Sequence, residues 1–368
     1  MKHAFLLLLL ALLSSCSPQS NKKETSVPNA NTNRTTKNNF RVKQPKHNSV
    51  LLVNDSLTVK ITPKSKSAAI DSVALYVNNR ILGIYPSNEI KTPLKTQKLG
   101  ENILRIKAFF SDGSSRSRSR KLKVFSDISP KKLKYRIVSK YPHPTKRFTQ
   151  GLVYEEPYLY EGTGQRGESS LYKTDFKSGK VLNEVALPNN RFGEGIAVFG
   201  NKIVELTWES QEGYVYDKEN LDYQSTFRYP FSEKGWGITF DGKDLIMSNG
   251  SASLLYMDTS SFENIRSVIV ADQTELLDSL NELEYIKGAV FSNIWMRNTI
   301  AKIDPETGKV LAYLDLSDLA STEPEYDPYK RGYEYENVLN GIAYIPEKNH
   351  LLITGKRWSA IYEIEIWE

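Results

Sequence analysis

Short runs in which apolar and polar residues alternate, separated by turn-forming clusters, run along most of the chain from residue 47 onward. Residues 49–53, 57–62, 72–77, 103–109 and 121–125 carry the period of two that turns one strand face toward a core. The breaks at Asn54-Asp55, Asn78-Asn79 and Asp112-Gly113-Ser114-Ser115 are residues that tolerate positive φ or bond to their own backbone. Residues 47–128 are therefore expected to form a small immunoglobulin-like β-sandwich, without the disulfide and buried tryptophan of antibody domains.

From residue 130 the alternation becomes a repeat. Gly151-Leu-Val-Tyr154, Gly195-Ile-Ala-Val198, Gly237-Ile-Thr-Phe240, Glu282-Leu-Glu-Tyr285 and Gly341-Ile-Ala-Tyr344 align at spacings of 44, 42, 45 and 59 residues, the last stretched by an acidic, Tyr-rich insertion at 323–336. Each is followed by a turn, a second apolar run and a third strand that ends near an acidic residue. Units of four strands and about 40–50 residues are the signature of a β-propeller. The fifth unit reaches the end of the chain with three strands, and residues 135–140 supply the fourth, which predicts an all-β, five-bladed β-propeller over residues 130–368.

In a propeller the first strand of each blade lines the axis and the second runs antiparallel to it, so the start of one and the end of the other share a face. The residues just before the aligned position are Gln150, Glu194, Trp236, Asn281 and Asn340; those ending the second strand are Thr163, Trp208, Asn249, Trp295 and Lys356. Phe148 and Phe192 flank the same turns. These positions are expected to meet around one channel mouth, where three tryptophans, one carboxylate and one ammonium make a pocket for a small apolar or amide-bearing ligand. Surrounded by Phe192, Trp208 and Trp236, Glu194 is expected to be desolvated, which suits a group that exchanges protons. Plainer roles stay open: tryptophans often pack between blades, Glu194 could bond neighbouring amides, and Lys356 could be its counter-ion.

Composition removes several chemistries. Four histidines and one cysteine leave no disulfide framework, no zinc finger and no iron–sulfur cluster from this chain's own thiols. His3 and His47 precede the repeats, and His143 and His350 lie outside the ring positions, so no catalytic transition-metal site is expected. An ion held by backbone carbonyls in the central channel is left open. The net charge of +6 hides an asymmetry, since residues 1–129 carry 22 Lys and Arg against 7 Asp and Glu, and residues 130–368 carry 27 against 36. Two modules, expected to fold separately, meet near residue 129. Arg116, Arg118, Arg120 and Lys123 alternate along a strand edge, either as a solvated face that protects the edge or as a surface for anionic lipid headgroups. Nucleic acid is not expected, because no aromatic residues interleave with these charges.

Ahead of the modules, residues 4–13 form an apolar run of ten residues, where a bilayer span needs about twenty. It ends in Leu13-Ser14-Ser15-Cys16, which resembles the lipobox of bacterial lipoproteins and implies cleavage before Cys16 and acylation of its thiol; an ordinary secretory signal is the alternative. Residues 1–16 are thus read as a leader and lipobox, and residues 17–46, polar with little to bury, as a disordered tether. This places the protein in the bacterial cell envelope, lipid-anchored to a membrane outside the cytoplasm.

Phe148-Thr-Gln-Gly-Leu152, Phe192-Gly-Glu-Gly195, Gly235-Trp-Gly237, Leu280-Asn-Glu-Leu-Glu-Tyr285, Asn293-Ile-Trp295, Val338-Leu-Asn-Gly-Ile-Ala343 and Thr354-Gly-Lys356 occur in that order over residues 140–366. This region resembles the plant and bacterial glutaminyl-peptide cyclotransferases of five-bladed propeller type, which are unrelated to the zinc-dependent animal enzymes. The resemblance implies that an N-terminal glutamine of a peptide or protein is converted to pyroglutamate with release of ammonia, with no cofactor. It further implies that Glu194 is the catalytic carboxyl, that Asn281 and Lys356 hold the amide oxygen, that Trp208, Trp236 and Trp295 wall the site, and that Gln150, Phe148 and Phe192 help place the substrate. A non-catalytic propeller that binds peptides or sugars at the envelope, or a scaffold that docks partners through its sandwich, are the competing readings.

Overall fold

A computed structural model describes residues 38–229, 234–324 and 337–368. The leader, Cys16, the tether up to residue 37 and the 325–336 part of the acidic insertion lie outside the described residues. Residues Asn38–Glu368 form one compact unit in which a β-sandwich precedes a propeller.

The sandwich is built from β1 (Phe40–Gln44), β2 (Ser49–Leu52), β3 (Ser56–Pro63), β4 (Ile70–Val77), β5 (Arg80–Tyr85), β6 (Glu89–Pro93), β7 (Gly100–Phe110) and β8 (Ser115–Phe125). One sheet has the order β1-β3-β6 and the other β2-β8-β7-β4-β5. Alternate residues fill the space between them: Leu57, Val59 and Ile61 from one sheet, and Leu104, Ile106, Leu122 and Val124 from the other. β1 corrects the expected tether boundary. It lies inside 17–46, yet it pairs with β3 and buries Phe40 to 1% exposure. A polar composition hid it, because only every second residue of an edge strand has to be apolar.

β9 (Lys131–Pro142) leads into the blades. Blade 1 is β10 (Thr149–Glu155), β11 (Tyr158–Thr163), β12 (Ser170–Asp175) and β13 (Val181–Ala186); blade 2 is β14 (Gly193–Phe199), β15 (Lys202–Thr207), β16 (Glu212–Asp217) and β17 (Tyr223–Arg228). Blade 3 is β18 (Ile238–Phe240), β19 (Leu245–Met247), β20 (Ser253–Met257) and β21 (Asn264–Ile269), and blade 4 is β22 (Leu280–Ile286), β23 (Ala289–Ile294), β24 (Thr299–Ile303) and β25 (Val310–Asp315). After the short helix α1 (Ser317–Ala320), blade 5 takes β26 (Leu339–Ile345), β27 (His350–Gly355) and β28 (Ala360–Trp367). Its fourth strand is β9, paired antiparallel with β28 from Ala360↔Pro142 to Trp367↔Lys134. The closing strand expected from sequence is therefore present, and longer. Its first residues also pair in parallel with β25, joining blades 4 and 5 into one eight-stranded sheet.

The inner strands β10, β14, β18, β22 and β26 neighbour one another in a closed ring. The aligned glycines make this possible. A Cβ on Gly151 would lie 2.4 Å from the Ile196 nitrogen, one on Gly195 2.7 Å from the Trp236 oxygen, and one on Gly237 2.1 Å from the Asn281 oxygen. Only a residue without a side chain lets adjacent backbones approach this closely. Glu282 replaces glycine in blade 4, and its carboxylate spans the channel, accepting the N–H groups of Leu152 (3.3 Å) and Ile342 (2.9 Å).

Sandwich and propeller share packing. Ala271 belongs to the buried core of the sandwich, Ile269 packs against it, Ser126 N–H donates to Asp272 O at 2.9 Å, and Lys309 pairs with Asp127 at 2.7 Å. The two modules, distinct in charge and topology, are thus joined by an apolar and ionic seam along blade 3 and Lys309, just before β25.

Candidate active site

At one mouth of the channel a cavity of about 120 Å³ is lined by Phe148, Gln150, Phe192, Glu194, Trp208, Lys234, Trp236, Asn281, Trp295 and Lys356. All nine residues expected at the catalytic and substrate-binding positions line it. The strand pairing shows how they are aimed. In blades 1, 2, 4 and 5 the pairing between first and second strand slips by one residue, between Thr149 and Gly151, Gly193 and Ile196, Leu280 and Leu283, and Leu339 and Ile342. Gln150, Glu194, Asn281 and Asn340 sit in these bulges. A bulge adds a residue to one strand and frees its side chain from strict alternation, here releasing Gln150, Glu194 and Asn281 toward the cavity.

Asn340 is one layer back, donating from Nδ2 to Thr149 O (3.0 Å) and Gln150 Oε1 (3.2 Å), so it orients Gln150 without lining the cavity. Asn249 is also outside, its Oδ1 accepting from the Ser251 N–H and hydroxyl. Thr163 is out by one position. Trp208, Trp295 and Lys356 each donate a backbone N–H to the residue two before the ring residue (Phe192, Ser279, Val338), and the equivalent donor in blade 1 is Gly164, to Phe148 O at 2.8 Å. A Cβ on Gly164 would stand 2.4 Å from the Phe192 ring, so this rim position is left empty for that ring. Lys234 was missed by sequence reasoning. The offset that selects Phe148 and Phe192, two residues before the ring residue, lands on Lys234 in blade 3.

Two aromatic walls face each other across the cavity. Phe192 contacts Phe148 edge-on at 6.0 Å and Trp208 at 5.5 Å, while Trp236 and Trp295 meet edge-on at 5.6 Å. Lys356 Nζ lies 4.8 Å from the centre of the Phe148 ring and Lys234 Nζ 4.6 Å from that of Trp208. Glu194, Asn281 and Lys356 are 4%, 3% and 5% exposed. Two buried atoms of lining residues have no partner in the protein: the acceptor Asn281 Oδ1 and the donor Trp236 Nε1. An unmade buried bond costs about 1–3 kcal/mol, so the cavity wall holds one acceptor and one donor whose bonding capacity the protein itself does not use.

Behind the site the blades repeat a buried acid with opposite outcomes. In blade 1, Glu161 accepts from His143 Nε2 (2.9 Å), Arg147 (2.8 Å) and the Thr149 hydroxyl (2.8 Å). Burial raises its carboxyl, but the charges of His143 and Arg147 and these hydrogen bonds prevail and hold it at about 2. Glu205 takes the same place in blade 2, where Leu187, Arg191 and Gly193 stand for His143, Arg147 and Thr149. Arg191 turns to Glu212 instead, at 2.8 Å. Both Glu205 oxygens are buried without a hydrogen bond, and burial pushes this carboxyl well above the usual range. In the channel, burial and then the neighbouring Glu284 push Glu282 well up, and burial raises Glu284 to about 8. A larger cavity of about 400 Å³ lies where blades 5 and 1 meet, but its His143 and Arg147 are committed to Glu161.

A closed five-bladed ring with one acid, one amide and one ammonium buried at an aromatic mouth defines a β-propeller with a polar-and-aromatic cavity at the end of its channel. The glutamine cyclotransferase family model matches residues 109–366, beginning within β7, and the chain belongs to that family. A glutaminyl-peptide cyclotransferase of Arabidopsis thaliana is 35% identical over 241 residues, covering 65% of this chain and 73% of that relative. The crystal structure of Myxococcus xanthus glutaminyl cyclase is similar with a TM-score of 0.59 and 29% identity, covering 65% of this chain and 98% of that one. Membership of this enzyme family carries glutamine cyclotransferase activity.

Proposed function

We propose that the cavity folds the N-terminal glutamine of a peptide onto itself and closes it to pyroglutamate, with Glu194 as the proton carrier. The observation that carries this is the pairing of an unsatisfied acceptor, Asn281 Oδ1, with an unsatisfied donor, Trp236 Nε1, beside a buried carboxyl. The neutral α-amine attacks the side-chain amide carbon within one residue, so near-attack geometry set by the aromatic walls replaces a bimolecular encounter. The C–N bond forms, Glu194 takes a proton from the attacking nitrogen and gives it to the leaving nitrogen, and ammonia departs. Such a relay is typically worth about 10²–10⁴ in rate. Lys356 and Trp236 Nε1 donate to the carbonyl oxygen as charge develops, at roughly 10² or more per donor. Asn281 assists there through its amide N–H and takes a substrate N–H on Oδ1, while Gln150, held by Asn340, positions the peptide. The test is ammonia release from a Gln-initiated dipeptide by purified protein, beside an Asn-initiated control. Release from neither sinks the assignment.

We further infer that the mature chain begins at an acylated Cys16 and is held to a membrane outside the cytoplasm, with the sandwich, of immunoglobulin-like type, between anchor and enzyme. The ten-residue apolar run, the Leu13-Ser14-Ser15-Cys16 motif and the position of the chain's one cysteine support this. Incorporation of a labelled fatty acid into the wild type but not into Cys16→Ser tests it; equal labelling of the two would exclude this cysteine.

A further inference from the structure

We propose that the sandwich carries a second membrane contact: a cationic groove that takes the phosphate headgroups of anionic lipids. The groove, of about 440 Å³, is lined by Phe40, Arg41, Val42, Lys43, Lys64, Arg118 and Arg120. Five of these seven are cations and none is acidic. Among the described residues none of the five forms an ion pair, while Glu89, Glu101 and Asp127 of the same domain are taken by Lys60, Lys121 and Lys309. Asp112, in the turn before β8, is held by Asn38 and Ser114. Residues 38–129 carry 17 Lys and Arg against 6 Asp and Glu, so no diffuse negative charge offsets the groove.

The cations come from both sheets. On β8, Leu122 and Val124 enter the core, and two-residue periodicity puts Arg120 and Arg118 on the same face where the strand runs past that core. Arg41 and Lys43 come from β1 and Lys64 from just beyond β3, on the other sheet. Basic residues that protect an edge account for charge on either strand alone. They do not account for convergence on one concavity free of carboxylates.

Position names the occupant. The compact unit starts at Asn38, whose carbonyl accepts from Arg116 and whose neighbour Asn39 accepts from Arg118 at 2.9 Å. The segment that carries Cys16 is therefore joined to the fold at the groove itself. A single acyl chain binds membranes only marginally, and a polybasic patch is the kind of second signal that makes anchoring stable. The inference rests on the anchored reading, but its test uses chain without the acyl group, so the two fail separately.

Residues 17–368 keep the compact unit whole and are incubated with vesicles of phosphatidylcholine, with and without phosphatidylglycerol. Wild type is expected to sediment with the anionic vesicles at about 0.1 M salt and to release at about 1 M, where the Debye length falls from about 10 Å to about 3 Å. Each cation near an anionic surface is worth about fivefold in partitioning, so Arg118→Ser with Arg120→Ser should lose about 25-fold. Lys91→Ser with Lys95→Ser, the same charge change outside the groove, should lose far less. Unchanged thermal unfolding and ammonia release show that the variants remain folded. Equal binding to neutral vesicles, or equal loss in both double variants, overturns the proposal. So does stabilisation of the wild type by inorganic phosphate without vesicle binding, which would make the groove a site for a free anion.

Discussion

Glu194 is the one carboxylate that lines the cavity among the described residues, so the proton relay can be tested at a single atom pair. Glu194→Gln keeps volume and hydrogen bonding but cannot carry a proton; kcat should fall by about 10²–10⁴ with KM little changed, measured by ammonia release on folded protein. Near-native kcat would make the carboxyl structural. Glu205 offers a second test, in stability. Its folded carboxyl is held well above the unfolded value of about 4.3, so the folded state keeps its proton while the unfolded chain has lost it. Stability from this group is therefore full below the unfolded pKa and drains as pH rises toward the folded one, by up to about 1.4 kcal/mol per pH unit. Glu205→Gln should flatten the fall in melting temperature between mildly acidic and alkaline pH, leaving the slope that Glu282 and Glu284 share. An unchanged slope would show that Glu205 has found a partner. The repeat spacing shows that Glu205 has Leu187 and Gly193 where Glu161 has His143 and Thr149, but only the structure shows that the retained Arg191 turns away to Glu212.

Among the elements, the inner strands carry the most constraint. Gly237→Ala would press a methyl group against the Asn281 carbonyl, 2.1 Å from the ideal Cβ. Overpacking of this kind costs about 1–3 kcal/mol, and relief by moving β22 displaces Asn281. Lower thermal stability together with reduced kcat/KM is expected; wild-type values for both would mean that the ring is looser than its geometry. The repeat spacing located these strands because it is a local periodic signal. The one-residue bulges were not legible, since an extra residue reveals itself only against a paired strand. Thr163 stands one residue short of the offset that links Glu194 to Trp208 and Asn281 to Trp295, and Gly164, which that offset selects, has no side chain to mark the position. The offset from Phe148 and Phe192 held the information for Lys234, but blade 3 puts a cation where blades 1 and 2 have aromatic rings.

At the scale of the molecule, every residue that lines the cavity belongs to the propeller, and the sandwich contributes stability along its seam. Removing residues 38–129 uncovers Ala271 and Ile269 and leaves Lys309 without Asp127. The propeller from Lys131 retains β9 and with it the closure of blade 5, so ammonia release should persist with a lower melting temperature. Full loss of turnover in a folded sample would show that the sandwich shapes the site. Unchanged stability would show that the seam contributes nothing. Charge asymmetry marked where one module ends, but it could not register an interface made by a few apolar side chains from blade 3.

By itself the sequence determined the number of blades, the strand that closes the ring and most of the side chains gathered at its mouth, although the same offsets also chose Thr163, Asn249 and Asn340, which lie outside the cavity. Each of these follows from periodicity and from offsets that recur every blade, which are properties of local order. Tertiary structure alone decided the bulges that aim those side chains, the glycine contacts that narrow the ring, the buried Asn281 and Trp236 atoms left without a partner in the protein, and the fate of two equivalent acids. The physical reason is that strand register, close approach of backbones and the charge of a buried group depend on atoms far away in the chain. No pattern along one strand records which partner will face it.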